Sequence, residues 1–388
     1  MRIPGPTAAG ESASSPLRFQ RPSLPSGDAI ERYLSLAREE RWFSNGGPCW
    51  KLLRDRLSER VGAYCVPVAS GTVGLMAAVA AVAGDAPPHS KALLPSFTFA
   101  ATVQAAIWTG LDPLLLDVDS AGWHMDCAQL EEELHAAGAT AALALVVSSF
   151  GTPPPPATRQ RWEQACRAAG VPLVIDSAAG FGAIAADGVP IGAQGDVEVV
   201  SFHATKPFAI GEGGAVFSHD ARLIERIERT VNFGLDRDRS VVDPRGLNGK
   251  MSELHAATAL AVLDELDSIL AARRGAAAEV RERAGADVSW QAESERSAWQ
   301  FVPVAFADAR ARGEAQERCA ARIETRVYYE PLHHMPAYRE LPHASGGLSV
   351  TERLAQRLLC LPMANDLTSS EAVRIATAIR GRAAQPAG

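Results

Sequence analysis

The chain has 388 residues, 47% of them apolar and 21% charged, with a net charge of −7. Such a length and balance describe a folded chain of two domains, not a disordered one. The acidic sign, with no basic stripe, excludes an extensive nucleic-acid surface. The six cysteines form no CxxC pair, which reads as reduced thiols, neither a disulfide framework nor a zinc site. No apolar leader opens the chain, and the longest apolar run, residues 73–84, is too short to span a bilayer. A cytoplasmic protein is therefore expected.

Residues 1–25 are rich in Pro, Ser and Gly and are expected to be mobile or draped over the surface. Helical spacing runs over 28–40, with Asp28 able to cap it, and over 50–61 after the turn at 44–48. A strand over 64–68 runs into Ala69-Ser70-Gly71-Thr72 and an alanine-rich helix ending at Ala83. Strand, small polar turn and helix together can bind phosphate through unpaired N–H groups and the helix dipole. The same residues also serve as ordinary helix caps. Strands follow over 91–95, 114–118 and 141–147, then a rigid four-proline loop, a helix over 159–169 and a strand over 171–175. Asp176 stands at the carboxyl end of that strand. The alternation predicts an α/β fold with a mainly parallel sheet covered by helices on both faces. In such sheets ligands sit beyond the carboxyl ends of the strands.

The stretch 196–214, DVEVVSFHATKPFAIGEGG, begins as a buried strand and reaches Lys206 just before Pro207. A residue before proline is pushed out of helical geometry, so the lysine side chain can project from a turn. A second strand over 215–218, a helix over 221–230 and a long helix out of 246–266 come next. Leu254, Ala257, Leu260, Ala261 and Leu263 mark the packed face of that helix. A composition shift near 272 announces a smaller α/β domain, with strands expected over 299–305 and 326–329. The expected division is a mobile segment 1–25, a large domain 26–265 and a small domain 266–388.

Gly71, Thr72, Phe99, Asp176, Ser201 and Lys206 all fall on one sheet edge in this reading. An amine, a carboxylate and a phosphate cradle together describe pyridoxal phosphate (PLP). Lys206 would be the Schiff-base lysine and later the base that moves the proton. Asp176 would hold the pyridine nitrogen protonated, and Phe99 would stack on the ring. Gly71 and Thr72 would hold the phosphate, with Ser201 adding a hydroxyl donor. Each residue also has a plainer reading, as a solvated loop lysine, a turn former or a core aromatic. His203 reads as structural, and no metal-ligand spacing appears among the nine histidines.

At these residues the sequence resembles the DegT/StrS-type sugar aminotransferases, PLP enzymes of fold type I. The matching stretches are NGGP (45–48), SGT (70–72), PSFTFAAT (95–102), VIDSAA (174–179), SFHATKPFAIGEGGA (201–215), NGKMSELHAA (248–257), YYEPLH (328–333) and LPM (361–363). The resemblance implies that Lys206 is the Schiff-base lysine, Asp176 the ring-nitrogen partner and Phe99 the stacking aromatic. It implies phosphate contacts from Gly71, Thr72 and Ser201, and from Asn248 across a homodimer with shared active sites. His333 and Tyr329 are implied near the substrate. Two positions depart from the family pattern, as does the loop VNFGLD (231–236), which is more basic in relatives. Ala179 replaces the usual His or Gln beside the cofactor, and His255 replaces a usual glutamine. Arg326 and Lys250 are candidate substrate contacts, with an ordinary surface role as the alternative.

The function expected is transfer of an amino group from glutamate or glutamine to a keto-sugar, carried on a nucleotide. A cyclitol ketone is the alternative acceptor. A non-catalytic, PLP-binding regulatory protein is the alternative of another class, and Ala179 is the feature that keeps it open.

Overall fold

A computed structural model describes residues 16–380. The strands are β1 (Tyr64–Val68), β2 (Lys91–Pro95), β3 (Asp112–Leu116), β4 (Ala141–Val147), β5 (Leu173–Asp176), β6 (Val197–Ser201), β7 (Gly214–Ser218), β8 (Val288–Ser289), β9 (Val302–Phe306) and β10 (Leu358–Leu361). The helices are α1 (Gly27–Glu39), α2 (Pro48–Val61), α3 (Gly71–Ala83), α4 (Ala100–Trp108), α5 (Cys127–Ala137), α6 (Pro156–Ala169), α7 (Ala221–Thr230), α8 (Glu253–Ala284), α9 (Ala309–Ala320), α10 (Ser349–Arg357) and α11 (Ser369–Ile379).

The first seven strands form one sheet in the order β1-β7-β6-β5-β4-β2-β3. Pairings from β3 through β6 are parallel, and β7 runs antiparallel to both β6 and β1. Both faces are covered, as expected of parallel strands that are apolar throughout. On β4, Leu143 and Leu145 pack into one core while Ala144 and Val146 pack into another, with Trp162 of α6. The alternation is the two-residue period of a strand with a helix layer on each side. A smaller sheet, β10-β9-β8, packs with α9, α10 and α11 around a separate core.

Several local expectations are corrected. Ser26, two residues before the expected cap, accepts from the Ala29 N–H, and Asp28 sits in the first turn of α1. Pro156 opens α6 and does not lie in the loop before it, because the first helical position needs no N–H donor. Leu254 is 55% exposed and does not belong to the packed face of α8. That helix does not stop near 266 but continues to Ala284, carrying Arg273 into the interior. The run 326–329 is not a strand. Only Arg326 bridges β10, at Cys360, because Tyr328 and Tyr329 turn away to stack on Phe301 and Phe150.

Residues 1–15 of the expected mobile segment lie outside the described residues. The described part of it is anchored. Leu17 pairs with Ile323, Leu17 and Phe19 are buried, and Arg21 bonds Glu371 in a two-pronged pair. The start of α8 is tied just as firmly to the start of α2. Glu253 is fully buried and accepts from the N–H groups of Cys49 and Trp50, where the α2 dipole favours a carboxylate. A Cβ on Gly47 would stand 2.7 Å from that carboxyl carbon, so the NGGP turn needs glycine there.

Phe19→Ala is expected to remove about 3 kcal/mol of stability, read as a lower urea midpoint with an unchanged slope. An unmoved midpoint would show that this segment is not part of the core.

Candidate active site

Parallel strands deliver their carboxyl ends to one edge, and there the chain forms a cavity of about 390 Å³. Three connections line it. The β1–α3 turn contributes Ser70, Gly71 and Thr72. Ser70 caps α3 by accepting from the Val73 N–H, while the remaining first-turn N–H groups have no partner within the helix. Gly71 lies against β6: an added Cβ would fall 2.8 Å from Ser201 Cβ. No other residue type fits this close approach.

The second connection follows β5. Asp176 is 5% exposed. Its Oδ2 accepts from Thr102 Oγ1 at 2.8 Å and its Oδ1 from the Ala178 N–H at 3.1 Å. Burial pushes its carboxyl pKa up, against the hydrogen bonds from Thr102 and Ala178 and the charge of Lys206.

The third connection follows β6. The chain folds back through Phe202 N–H to Gly213 O and Ala204 N–H to Gly211 O, each 2.8 Å, with Lys206 on the turn between. Its Nζ donates to Gln300 Oε1 at 3.1 Å. Loss of hydration around that amine lowers its pKa to about 8, with Asp176 opposing the shift. The two oppositely charged groups thus meet across one cavity, each out of its aqueous range.

Lys206, Asp176, Gly71, Thr72, Phe99, Ser201 and Tyr329 all line this cavity. Phe99 is 61% exposed, leaving a ring face free. Tyr329 stacks on Phe150 at 4.8 Å, and burial raises its phenol pKa. Two expected residues are elsewhere. Asn248 is exposed and accepts from Lys250 Nζ at 2.6 Å. His333 bonds Ser96 Oγ at 2.7 Å and Glu352 at 2.8 Å, outside the cavity lining. His334 shares that carboxylate oxygen at 3.0 Å. Arg326 and Lys250 line no part of the cavity either; their cations lie over the rings of Phe19 and Phe233.

Sequence reasoning missed Gln300, which reaches the cavity from the second core, as does Tyr328. Nothing local marks Gln300, whose partner is far along the chain, whereas Tyr328 was within reach as the first residue of YYEPLH. Thr102 was within reach, as the last residue of PSFTFAAT. Ser148 was missed as well. Its hydroxyl pairs with Ser177 Oγ at 2.8 Å, and Ser177 donates to the fully buried Glu198. The Gly192 and Gln194 N–H groups also donate to Glu198. A larger groove of about 900 Å³ lies at the opposite strand ends, near Gly195 and Asp196, and holds none of the predicted residues.

These residues fit PLP. An amine and a carboxylate face one cavity, a glycine cradle that a Cβ would fill adjoins a helix start, and an aromatic face is open beside them.

The sequence profile of the DegT/DnrJ/EryC1/StrS aminotransferase family matches residues 26–380. The chain is 34% identical to Protein Rv3402c of Mycobacterium tuberculosis over 381 residues, 96% of this chain and 91% of that one. It is 27% identical to the dTDP-4-amino-4,6-dideoxy-D-glucose transaminase of Escherichia coli over 372 residues, 93% of this chain and 97% of that one. Among solved structures it is similar to DesI, determined in the presence of its TDP-sugar product. There the TM-score is 0.83 at 32% identity, covering 94% of this chain and 92% of that one.

Burial raises the Glu198 pKa from 4.5 to about 7, against the hydrogen bonds from Ser177, Gly192 and Gln194. The folded state then holds this proton longer than the unfolded one. Stability is full below pH 4.5 and falls as pH rises towards 7. Between pH 5 and 8 the parent is expected to lose about 2–3 kcal/mol that Glu198→Gln does not lose. Urea unfolding at the two pH values measures it, and equal losses in both proteins would refute the shift.

Proposed function

The chain belongs to the DegT/DnrJ/EryC1/StrS aminotransferase family and is a PLP-dependent aminotransferase, and from that premise we propose its substrates and residue roles. The amino donor is an amino acid, glutamate or glutamine. The acceptor is a keto-sugar carried on a nucleotide, and the two half-reactions share one site in ping-pong order. The nucleotide reading is supported by the names of relatives that act on dTDP- and TDP-sugars.

The observation that carries the roles is the meeting of the Lys206 amine and the Asp176 carboxylate across one cavity. When bound, PLP supplies an aldehyde that carries the amino group and a ring that draws electrons from the reacting carbon. Lys206 anchors it through Nζ and, when free, moves the proton. An amine with a pKa near 8 has a usable neutral fraction at physiological pH. Asp176 holds a proton on the ring nitrogen, its own charge favoured by donors from Thr102 and Ala178. Phe99 covers the ring face, while Gly71, Thr72 and Ser201 bind the phosphate. Tyr329 borders the substrate.

Asn248 serves a neighbouring copy: it completes the phosphate site across a homodimer, and the exposed Phe233 and Leu254 lie in the covered surface. His333 adjoins the substrate only through Ser96, which precedes the cavity segment 98–101. The protein works in the cytoplasm. Among the described residues no helix is long and apolar enough to cross a membrane.

Lys206→Ala is expected to abolish turnover and the visible absorbance of the loaded protein. Retention of both would refute the assignment. Nucleotide-linked keto-sugars and cyclitol ketones, offered to the amine form, are read by recovery of the aldehyde-form spectrum. Recovery only with cyclitols would overturn the nucleotide-sugar reading.

A further inference from the structure

Gln300 is the one direct hydrogen-bond partner of the Lys206 amine among the described residues. It is 6% exposed and lies in the irregular run before β9, within the second core region. Its amide orientation follows from its neighbours. An ammonium can only donate, so the carbonyl oxygen must face Lys206. The NH2 group is then left for Thr205, whose Oγ1 accepts from Gln300 Nε2 at 3.2 Å. Thr205 in turn meets His203 Nδ1 at 2.9 Å. The backbone of the run is held from behind. Arg273 of α8, 5% exposed, donates from Nη1 to Trp299 O at 2.7 Å and to Gln300 O at 3.4 Å, and from Nε to Asn365 at 2.7 Å. Trp299 itself lies in left-handed backbone, with φ 56°. Across the cavity, Ala179 offers no side-chain polar atom to this amine.

We propose that Gln300 is a positioning residue for the proposed reaction: its carboxamide oxygen is where the Lys206 amine docks whenever that amine is free, with Thr205 fixing the amide and Arg273 the backbone that carries it. The proposal rests on the reading of Lys206 as the cofactor lysine. A neutral acceptor suits the task. A carboxylate at this place would hold the amine charged and unable to take a proton, whereas an apolar side chain would leave the ammonium unpaired. The other titratable groups lining the cavity are Asp176 at the end of β5, His203 and Glu212 on the lysine loop, and Tyr328 and Tyr329 from the second core. Of these, Asp176 is the one whose charge acts on Lys206.

The test uses the full-length chain stripped of cofactor. Cyanate carbamylation of Lys206 is followed against pH by mass spectrometry of its peptide. The parent midpoint is expected near 8. Gln300→Glu should raise it by about one pH unit or more, and Gln300→Met should lower it by about one unit. In the loaded enzyme, the pH profile of the amine-form half-reaction should move in the same directions, with kcat changed more than KM. Gln300→Asn should restore part of the parent profile. Midpoints unmoved in both Glu and Met variants overturn the proposal; should Gln300→Glu fail to fold, an unmoved Gln300→Met midpoint alone overturns it. Borohydride trapping of PLP on Lys206 in the parent tests the underlying reading separately. Trapping with unmoved midpoints sinks the role of Gln300 alone, and no trapping at Lys206 sinks the reading itself.

Discussion

The structure depends on keeping one ammonium and one carboxylate out of water in the same cavity. Burial moves Lys206 down and Asp176 up, and each is the counter-charge that limits the other's shift. The sheet order makes this meeting unavoidable. β5 and β6 are parallel neighbours, with Asp176 opposite Val199, so the aspartate and the lysine loop emerge side by side at one edge. β1 lies beyond β7 at the margin of the sheet, and α3 packs back across β6 and β7. Gly71 is thereby brought against Ser201, closing the cradle beside the charged pair.

The second half of the chain is not a passive appendage to this edge. It sends in Gln300, Phe301, Tyr328 and Tyr329, all on irregular backbone flanking its small sheet. Arg273 holds two carbonyls of that backbone, and burial lowers its guanidinium pKa to about 10, opposed by Asp366. A buried cation bonded to two main-chain oxygens and to the Asn365 side chain fixes a loop that no regular ladder supports.

What was legible in the sequence follows physical range. Local signals were read correctly: the strand before Gly71, Asp176 at a strand end, Lys206 on a turn before proline. These depend on neighbours within a few residues, and the alternation of strands and helices then implied their common edge. Signals that depend on distant partners were not legible. Gln300 becomes meaningful only beside Lys206, and Glu198 only once Ser177 and the Gly192–Gln194 turn surround it. The run 326–329 has strand-like residues, yet aromatic stacking on Phe150 and Phe301 outweighs pairing with β10. Leu254 shows the converse. Its apolar spacing suggested a packed face, but this chain alone leaves it uncovered.

The helix α8 has 32 residues without a break, a rod about 48 Å long. Its first carboxylate grips the start of α2, and its middle holds the run that carries Gln300. A hinge between the two halves would therefore have to bend a continuous helix instead of a flexible joint. Wide clamshell opening is disfavoured by this construction. The exposed groups at the mouth are side chains of the rim, Phe99 and the His203–Glu212 pair, so access to the cavity can change there without bending the helix.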